Sequence, residues 1–112
     1  MRRIPEADKY TYRVIWSEED GEFVGLCAEF PSLSWLAKSQ PEALSGIVKV
    51  VRVVLRDMKA SGEASPPPLA AKRYTGVFKV RIPPHVHRDL TIQAAESNVS
   101  LNRLVSAKLA HG

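Results

Sequence analysis

Residues 74–110 read YTGVFKVRIPPHVHRDLTIQAAESNVSLNRLVSAKLA, and this stretch decides the fold of the C-terminal third of the chain. It predicts a short strand over residues 77–82, a helix over about residues 84–97 and a second helix after Ser100. Pro83 and Pro84 end the strand, because proline cannot donate a hydrogen bond to a strand ladder. A unit this small cannot bury its own apolar face, so we expect it to fold by pairing with a second copy.

Side chains alternate along the predicted strand with a period of two. One face carries Phe78, Val80 and Ile82, and the other carries Val77, Lys79 and Arg81. A lone strand with an apolar face needs a partner strand. This need argues against the alternative interpretation, a terminal helical hairpin that packs on the rest of the chain.

The two predicted helices have recognisable ends. Asn98 is a plausible left-handed stop for the first helix. Ser100 is a good N-cap for the second helix, and Val99 before it can pack onto Leu104. The sequence therefore predicts a strand followed by two helices that are separated by a tight turn.

This segment resembles the ribbon-helix-helix family of DNA-binding dimers, in which two antiparallel strands enter the major groove. The resemblance implies base contacts from Val77, Lys79 and Arg81, and phosphate contacts from Ser100, Leu101 and Asn102 at the start of the second helix. It implies a dimer core of Phe78, Val80, Ile82 and Leu104. Val77 departs from the hydrogen-bonding residue that such families often have there, although it can contact a thymine methyl group.

Charge is distributed unevenly along the chain, whose net charge is +4. Residues 72–112 contain seven basic and two acidic residues, whereas residues 1–71 contain nine basic and ten acidic residues. A basic module joined to a nearly neutral one is typical of phosphate binding by the basic module alone. Small basic surfaces also occur for solubility, so charge supports the DNA-binding interpretation only together with the strand.

The front of the chain predicts three strands, over residues 10–16, 23–30 and 33–38, and one helix. Residues 18–21 form the first turn, and Gly25 suggests a bulge or a close approach by a neighbouring backbone. Ser39 and Glu42 make a capping box at the helix start, and Gly62 ends the helix. Residues 66–73 contain three consecutive prolines and predict a stiff extended linker. The predicted domains are therefore residues 1–65 and 74–112.

The order of these elements, from Tyr10 to Ala110, resembles the HicB antitoxin family. The phrase GVFKVRIPP at residues 76–84, together with Ser100, Leu101 and Asn102, is close to what members with a ribbon-helix-helix module show. The resemblance implies an α+β fold: an N-terminal three-stranded antiparallel sheet with one helix (a truncated RNase H-like domain), plus a C-terminal ribbon-helix-helix module that dimerises. It also implies a HicA-like, RNA-cleaving toxin and operator DNA as partners.

Signals for catalysis and metal binding are weak. Acidic residues cluster in the turn at residues 18–22, where charge is usually solvated, and a nuclease would need carboxylates that converge on two metal ions. His85 and His87 are two residues apart and do not share a helix face. Cys27 is the only cysteine, so no disulfide forms within the chain, and we expect it to be a small buried strand residue. We expect no enzyme, no cofactor and no metal.

The N-terminal residues Met1–Arg2–Arg3 are not followed by an apolar export signal, and no apolar run is long enough to cross a bilayer. We therefore expect a cytoplasmic antitoxin that neutralises a toxin and represses its own operon as a homodimer, with a higher homo-oligomer left open. The alternative is a stand-alone ribbon-helix-helix repressor whose front domain binds a ligand or another protein. An RNase H-type enzyme is the third hypothesis. The acidic turn is a candidate contact for a basic toxin, with a solvated turn as the equal alternative.

Overall fold

Three antiparallel strands form the sheet of the front unit in the structure, a computed structural model that describes residues 6–112. The strands are β1 (Tyr12–Ser17), β2 (Glu22–Cys27) and β3 (Ser34–Ala37), in the spatial order β1-β2-β3. Ile15 pairs with Val24, which in turn pairs with Leu36 across the sheet. Residues 18–21 form the predicted hairpin turn, closed by a hydrogen bond from Gly21 N–H to Ser17 O.

The strands differ from their predicted bounds because residues beside them turn early. Phe30 N–H donates to Cys27 O and Leu33 N–H donates to Phe30 O, so the chain curls after Cys27 and β2 ends three residues before its expected end. A 3-10 helix, Glu6–Lys9, precedes β1 and was not predicted. The hydroxyl of Tyr12 donates to the carbonyl oxygen of Ala7 at 2.6 Å and ties this short helix to the sheet. Residues 1–5, including the N-terminal arginines and the start of the predicted first domain, lie outside the described residues.

Helix α1 (Gln40–Ser61) has the predicted N-cap Ser39 and C-cap Gly62, but among the described residues the Glu42 side chain does not return the bond that a full capping box has. The Ser39 hydroxyl accepts a hydrogen bond from Glu42 N–H at 3.3 Å. Gly62 adopts a left-handed conformation with φ of 76°, and the N–H groups of Gly62 and Glu63 donate to the carbonyl oxygens of Lys59 and Met58. These two bonds satisfy carbonyl groups that the end of a helix leaves without partners, which is why the helix stops there.

Gly25 allows α1 to lie directly on the sheet. A Cβ atom at Gly25 would lie 2.8 Å from Ile47 Cγ2 and would overlap the carbonyl oxygen of Ala43, so only glycine permits this packing. The close approach that the sequence suggested at Gly25 is therefore confirmed. Cys27 lies in the same core, 2 % exposed, beside the fully buried Ile47 and Val51, which confirms the prediction of a small buried strand residue.

The proline-rich segment is attached to the front unit and does not extend freely as predicted. The Tyr10 hydroxyl donates to Pro66 O at 2.6 Å, and Leu69 N–H donates to a carboxylate oxygen of Glu29 at 2.9 Å. Pro68 is buried between these two points, and Leu69–Ala71 forms a 3-10 turn. Long-range polar partners, which linker composition does not reveal, hold the segment in place.

The chain divides into two compact units, one ending at Tyr74 and one running from Thr75 to Gly112. The second unit contains helices α2 (Pro84–Glu96) and α3 (Leu101–His111), which pack on each other. Asn98 has a φ of +56°, and Val99 N–H donates to Ala94 O while Asn98 N–H donates to Ala95 O. The predicted left-handed stop between the two helices is therefore confirmed.

Within residues 6–112, no helix is both long and apolar enough to cross a membrane. Taken together, the described chain is an α+β protein with one three-stranded antiparallel sheet and three α-helices.

Candidate nucleic-acid interface and dimer surface

Residues 77–82 form no strand in the single chain, so the predicted strand, which was expected to need a second copy, stays a prediction. A strand requires a hydrogen-bonded neighbour, and one copy of the chain supplies none to this segment. Val77 N–H donates to the Thr75 hydroxyl, but within residues 6–112 the backbone groups of residues 78–82 make no hydrogen bond. The segment therefore offers its backbone to a strand from elsewhere.

The apolar side chains of the segment are exposed to an unusual degree. Phe78 is 71 % exposed, Val80 is 64 % exposed and Ile82 is 41 % exposed. These three residues are the predicted dimer core, together with Leu104, which is half-buried on α3. Large apolar groups in water at consecutive alternate positions indicate a surface that another molecule covers.

The second unit has almost no core of its own. Ala94 is the one buried side chain among its residues 75–112. Val86 and Leu90 on α2 and Val105 on α3 are only partly covered, and Ile92 is 48 % exposed. Fully burying one large aliphatic side chain stabilises a fold by about 1.5–3 kcal/mol, and this unit lacks that contribution at every position. A thirty-eight-residue unit with this burial needs a partner surface to be stable.

Lys79 and Arg81 are exposed on the same segment, interleaved with its apolar residues. Neither forms an ion pair with a carboxylate among the described residues. The Lys79 ammonium and the Arg81 guanidinium are therefore available to a ligand. A guanidinium can bind the O6 and N7 atoms of guanine with two hydrogen bonds. Val77, the third predicted base contact, is 84 % exposed.

The start of α3 carries the three residues that the sequence predicts to contact phosphate. The Ser100 hydroxyl accepts a hydrogen bond from Arg103 N–H at 3.0 Å and caps the helix. The backbone N–H groups of Leu101 and Asn102 have no acceptor within residues 6–112. Free N–H groups at a helix start, with the positive end of the helix dipole, favour an anion such as phosphate.

Glu29 is the residue of the front unit that sequence reasoning undervalued. Its carboxylate accepts hydrogen bonds from Thr11 N–H, from the Thr11 hydroxyl and from Leu69 N–H. Partial burial raises the pKa of Glu29, but the bonds from the backbones of Leu69 and Thr11 outweigh it and hold the pKa below its usual value. The carboxylate therefore joins β1, the end of β2 and the proline-rich segment. Nothing in the local sequence signals partners eighteen and forty residues away.

The acidic turn is largely occupied by contacts within the hairpin. Glu18 accepts a hydrogen bond from the Trp16 indole, Asp20 pairs with the Ser17 hydroxyl, and Glu22 forms an ion pair with Lys38 at 2.9 Å. These contacts give three of the acidic residues a role within the hairpin, and the ion pair with Lys38 compensates the charge of Glu22 alone.

The described residues contain no group of three or more histidine, cysteine, aspartate or glutamate side chains that could hold a metal ion. His87 lies in the first turn of α2, at the edge of a shallow depression, and both His85 and His87 are exposed. Burial raises the pKa of the Cys27 thiol, which disfavours the reactive thiolate.

A second depression, on the front unit, is lined by Thr11, Arg13, Leu26, Cys27, Ala28 and Pro31. Its volume is about 270 Å³, just below the range of about 300–1,000 Å³ that small-molecule pockets occupy. Arg13 is its one charged lining residue, so the geometry does not single it out as a ligand site.

Comparison with known proteins gives one match. No curated protein matches the chain, and no solved structure matches it. Residues 60–109, which run from the end of α1 through the proline-rich segment to α3, match the model of the family described as the HicB family. The match covers less than half of the chain, and it supports membership of the HicB family.

Proposed function

We propose that the chain is a DNA-binding antitoxin that acts as a homodimer. Residues 77–82 of two copies pair as an antiparallel ribbon, which buries Phe78, Val80 and Ile82 between them and against Leu104. The observation that carries this proposal is the second unit itself, which leaves these side chains in water and buries Ala94 alone. A ribbon followed by two helices is the ribbon-helix-helix arrangement that the sequence resembles.

The opposite face of the ribbon reads operator DNA in this proposal. Lys79 and Arg81 lie in the major groove and contact base edges, and Val77 contacts a thymine methyl group. Ser100, Leu101 and Asn102 hold a phosphate through backbone donors and fix the register without reading sequence. The net charge of +5 over residues 72–112 favours this approach to DNA.

The antitoxin role draws its support from the family match, since HicB proteins are antitoxins of toxin-antitoxin systems. In this proposal the front unit, a truncated RNase H-like domain, binds and neutralises a small HicA-like toxin that cleaves RNA. The dimer then represses its own operon. The function is binding and not catalysis, and no cofactor takes part. The acidic turn, residues 18–22, stays a candidate contact for the toxin in this proposal.

A second candidate function is a stand-alone ribbon-helix-helix repressor whose front unit binds another protein or a ligand. The position of the family match supports this second candidate, because residues 60–109 include none of the sheet and only the last two residues of α1. Both candidates share the DNA-binding dimer and differ in the partner of the front unit.

Co-expression with the product of the adjacent gene separates the two candidates. An antitoxin is expected to co-purify with a small basic neighbour and to restore growth to cells that express this neighbour. If the chain neither co-purifies with this neighbour nor restores growth, but still binds the upstream DNA in a gel-shift assay, the stand-alone repressor is the function that remains.

The DNA-binding part is tested by the Phe78→Glu variant in the same gel-shift assay. We expect it to abolish operator binding, because a carboxylate in the ribbon core prevents pairing. Lys72→Gln, which changes one exposed charge outside residues 77–82, is the matched control and should bind nearly as well as the unaltered chain.

A further inference from the structure

The outer side of the front unit carries an apolar groove between β3 and α1. We call it the valine groove, and it is lined by Trp35, Lys49, Val50, Val53 and Val54. Its volume is about 280 Å³. Trp35 is 47 % exposed and Val53 is 51 % exposed, although both belong to regular elements that could have buried them.

The position of Trp35 explains why the groove is open. Its indole lies against Gly46, where any Cβ atom would overlap the ring. The ring is therefore held at the edge of the sheet by a residue that has no side chain. Beyond it, β3 has no further strand, since the sheet ends there. On the adjoining helix, Val53 is exposed and Val50 is partly buried.

A row of basic residues borders the groove along α1. Lys49, Arg52, Arg56 and Lys59 recur at helical spacing and fall within about 80° of one another around the helix axis, since each residue advances about 100°. We call this row the basic ridge, and all four residues are exposed. Arg52 pairs with Asp8 at 3.4 Å, whereas the other three have no carboxylate within ion-pair distance in the described part of the chain. Asp57 is the one acidic residue of the later helix turns.

Two kinds of occupant fit this surface poorly. A DNA duplex would satisfy the basic ridge but would leave the valines and Trp35 in water. A small basic protein would meet like charge along the ridge.

We propose that the valine groove and the basic ridge bind an acidic amphipathic segment of another protein. Its apolar side chains enter the groove beside Trp35 and Val53, and its aspartates or glutamates face Lys49 and Arg56. This combination matches both halves of the surface, because apolar groups cover the groove while carboxylates neutralise the ridge. The inference goes beyond the proposed function, since a basic toxin is excluded from this site and operator DNA is read by another unit.

The test uses Trp35 fluorescence in the full chain with Trp16→Phe, which leaves Trp35 as the one tryptophan. The probes are two synthetic helical peptides with the same leucine and alanine positions, one with glutamate and one with lysine at the flanking positions. The glutamate peptide is expected to shift Trp35 emission to shorter wavelength in a saturable titration, and the lysine peptide is not. Raising the salt from about 0.05 to 0.3 M should weaken binding about tenfold, because the ridge contacts are solvent-exposed.

Variants separate the groove from the ridge. The double variant Lys49→Gln, Arg56→Gln and the single variant Val53→Glu should each weaken binding of the glutamate peptide about tenfold or more, whereas Lys72→Gln should not. All of these variants should still bind operator DNA. A failed peptide-binding test is therefore distinguishable from a failure of the proposed DNA-binding function.

Three results would overturn the proposal. Equal binding of both peptides, or of neither, would remove the charge argument. A random DNA duplex that shifts Trp35 emission through the ridge residues would assign the surface to nucleic acid. Concentration-dependent self-association that Val53→Glu abolishes would assign it to a second copy.

Discussion

Replacing Glu29 by glutamine is expected to loosen the attachment of the proline-rich segment and to destabilise the front unit. The carboxylate accepts three hydrogen bonds shorter than 3.2 Å: from Thr11 N–H at 3.0 Å, from the Thr11 hydroxyl at 3.1 Å and from Leu69 N–H at 2.9 Å. Glutamine keeps one acceptor oxygen, loses the charge and turns an NH2 group toward these donors.

The magnitude follows from the strength and exposure of these bonds. A buried hydrogen bond to a charged group contributes about 1.5–3 kcal/mol to stability. Glu29 is only half-buried, so solvent screening reduces each bond. We therefore expect Glu29→Gln to lower the free energy of unfolding by about 1–2 kcal/mol at neutral pH.

The effect depends on pH with a definite sign. The pKa of Glu29 is lowered in the folded protein, so the folded state favours the charged carboxylate. Its contribution is complete above the ordinary glutamate pKa of about 4.3 and is lost as the pH falls through the lowered pKa. The difference in free energy of unfolding between the unaltered chain and Glu29→Gln should therefore be constant near neutral pH and should shrink below about pH 4.

Urea unfolding followed by tryptophan fluorescence measures this difference, since Trp16 and Trp35 both lie in the front unit. Glu19→Gln is the matched control, because Glu19 is exposed at the hairpin tip and forms no ion pair or side-chain hydrogen bond among the described residues. Two results would refute this prediction. Glu29→Gln could lower the free energy of unfolding no more than Glu19→Gln does, or the loss in Glu29→Gln could stay the same below about pH 4.

Three further substitutions test other parts of the structure. Arg81→Ala should weaken operator binding by about 1–3 kcal/mol and relax specificity at one base position, measured by gel shift on a panel of single-base operator variants. Ser100→Ala should cost about 1 kcal/mol of stability through loss of the α3 cap, measured by urea unfolding followed by circular dichroism, and should weaken binding to all DNA sequences alike. Gly25→Ala should destabilise the front unit by about 1–3 kcal/mol in the same unfolding assay, because its Cβ would displace α1 at Ile47. Gly21→Ala would then be a poor control, since its φ of 62° strains any other residue, and Gly112→Ala at the chain end serves instead.

Sequence reasoning succeeded where structure depends on neighbours along the chain. The two caps of α1 at Ser39 and Gly62, the Asn98 stop and the Ser100 cap all follow from hydrogen bonds that span five residues or fewer. Local chemistry therefore determines the start and end of the helices, and the sequence pattern carries that chemistry directly.

Prediction failed where structure depends on distant residues, and it stays untested where structure depends on another molecule. Residues 66–71 have the composition of a free linker, yet Tyr10 and Glu29 hold them on the sheet from more than thirty residues away. Residues 77–82 have the pattern of a strand, yet a strand forms only when a second strand supplies hydrogen bonds. The roles of Lys79 and Arg81 in base reading stay predictions for the same reason, because operator DNA must position them.

The central claim is that two chains pair through residues 77–82. An isotope-filtered NOE experiment on dimers assembled from equal amounts of labelled and unlabelled chain tests it most directly, because it detects only contacts between protomers. The account predicts interchain NOEs between backbone protons of residues 77–82 and from the Phe78 ring to Leu104. A protein that sediments as a dimer but shows interchain NOEs from the front unit alone would contradict it.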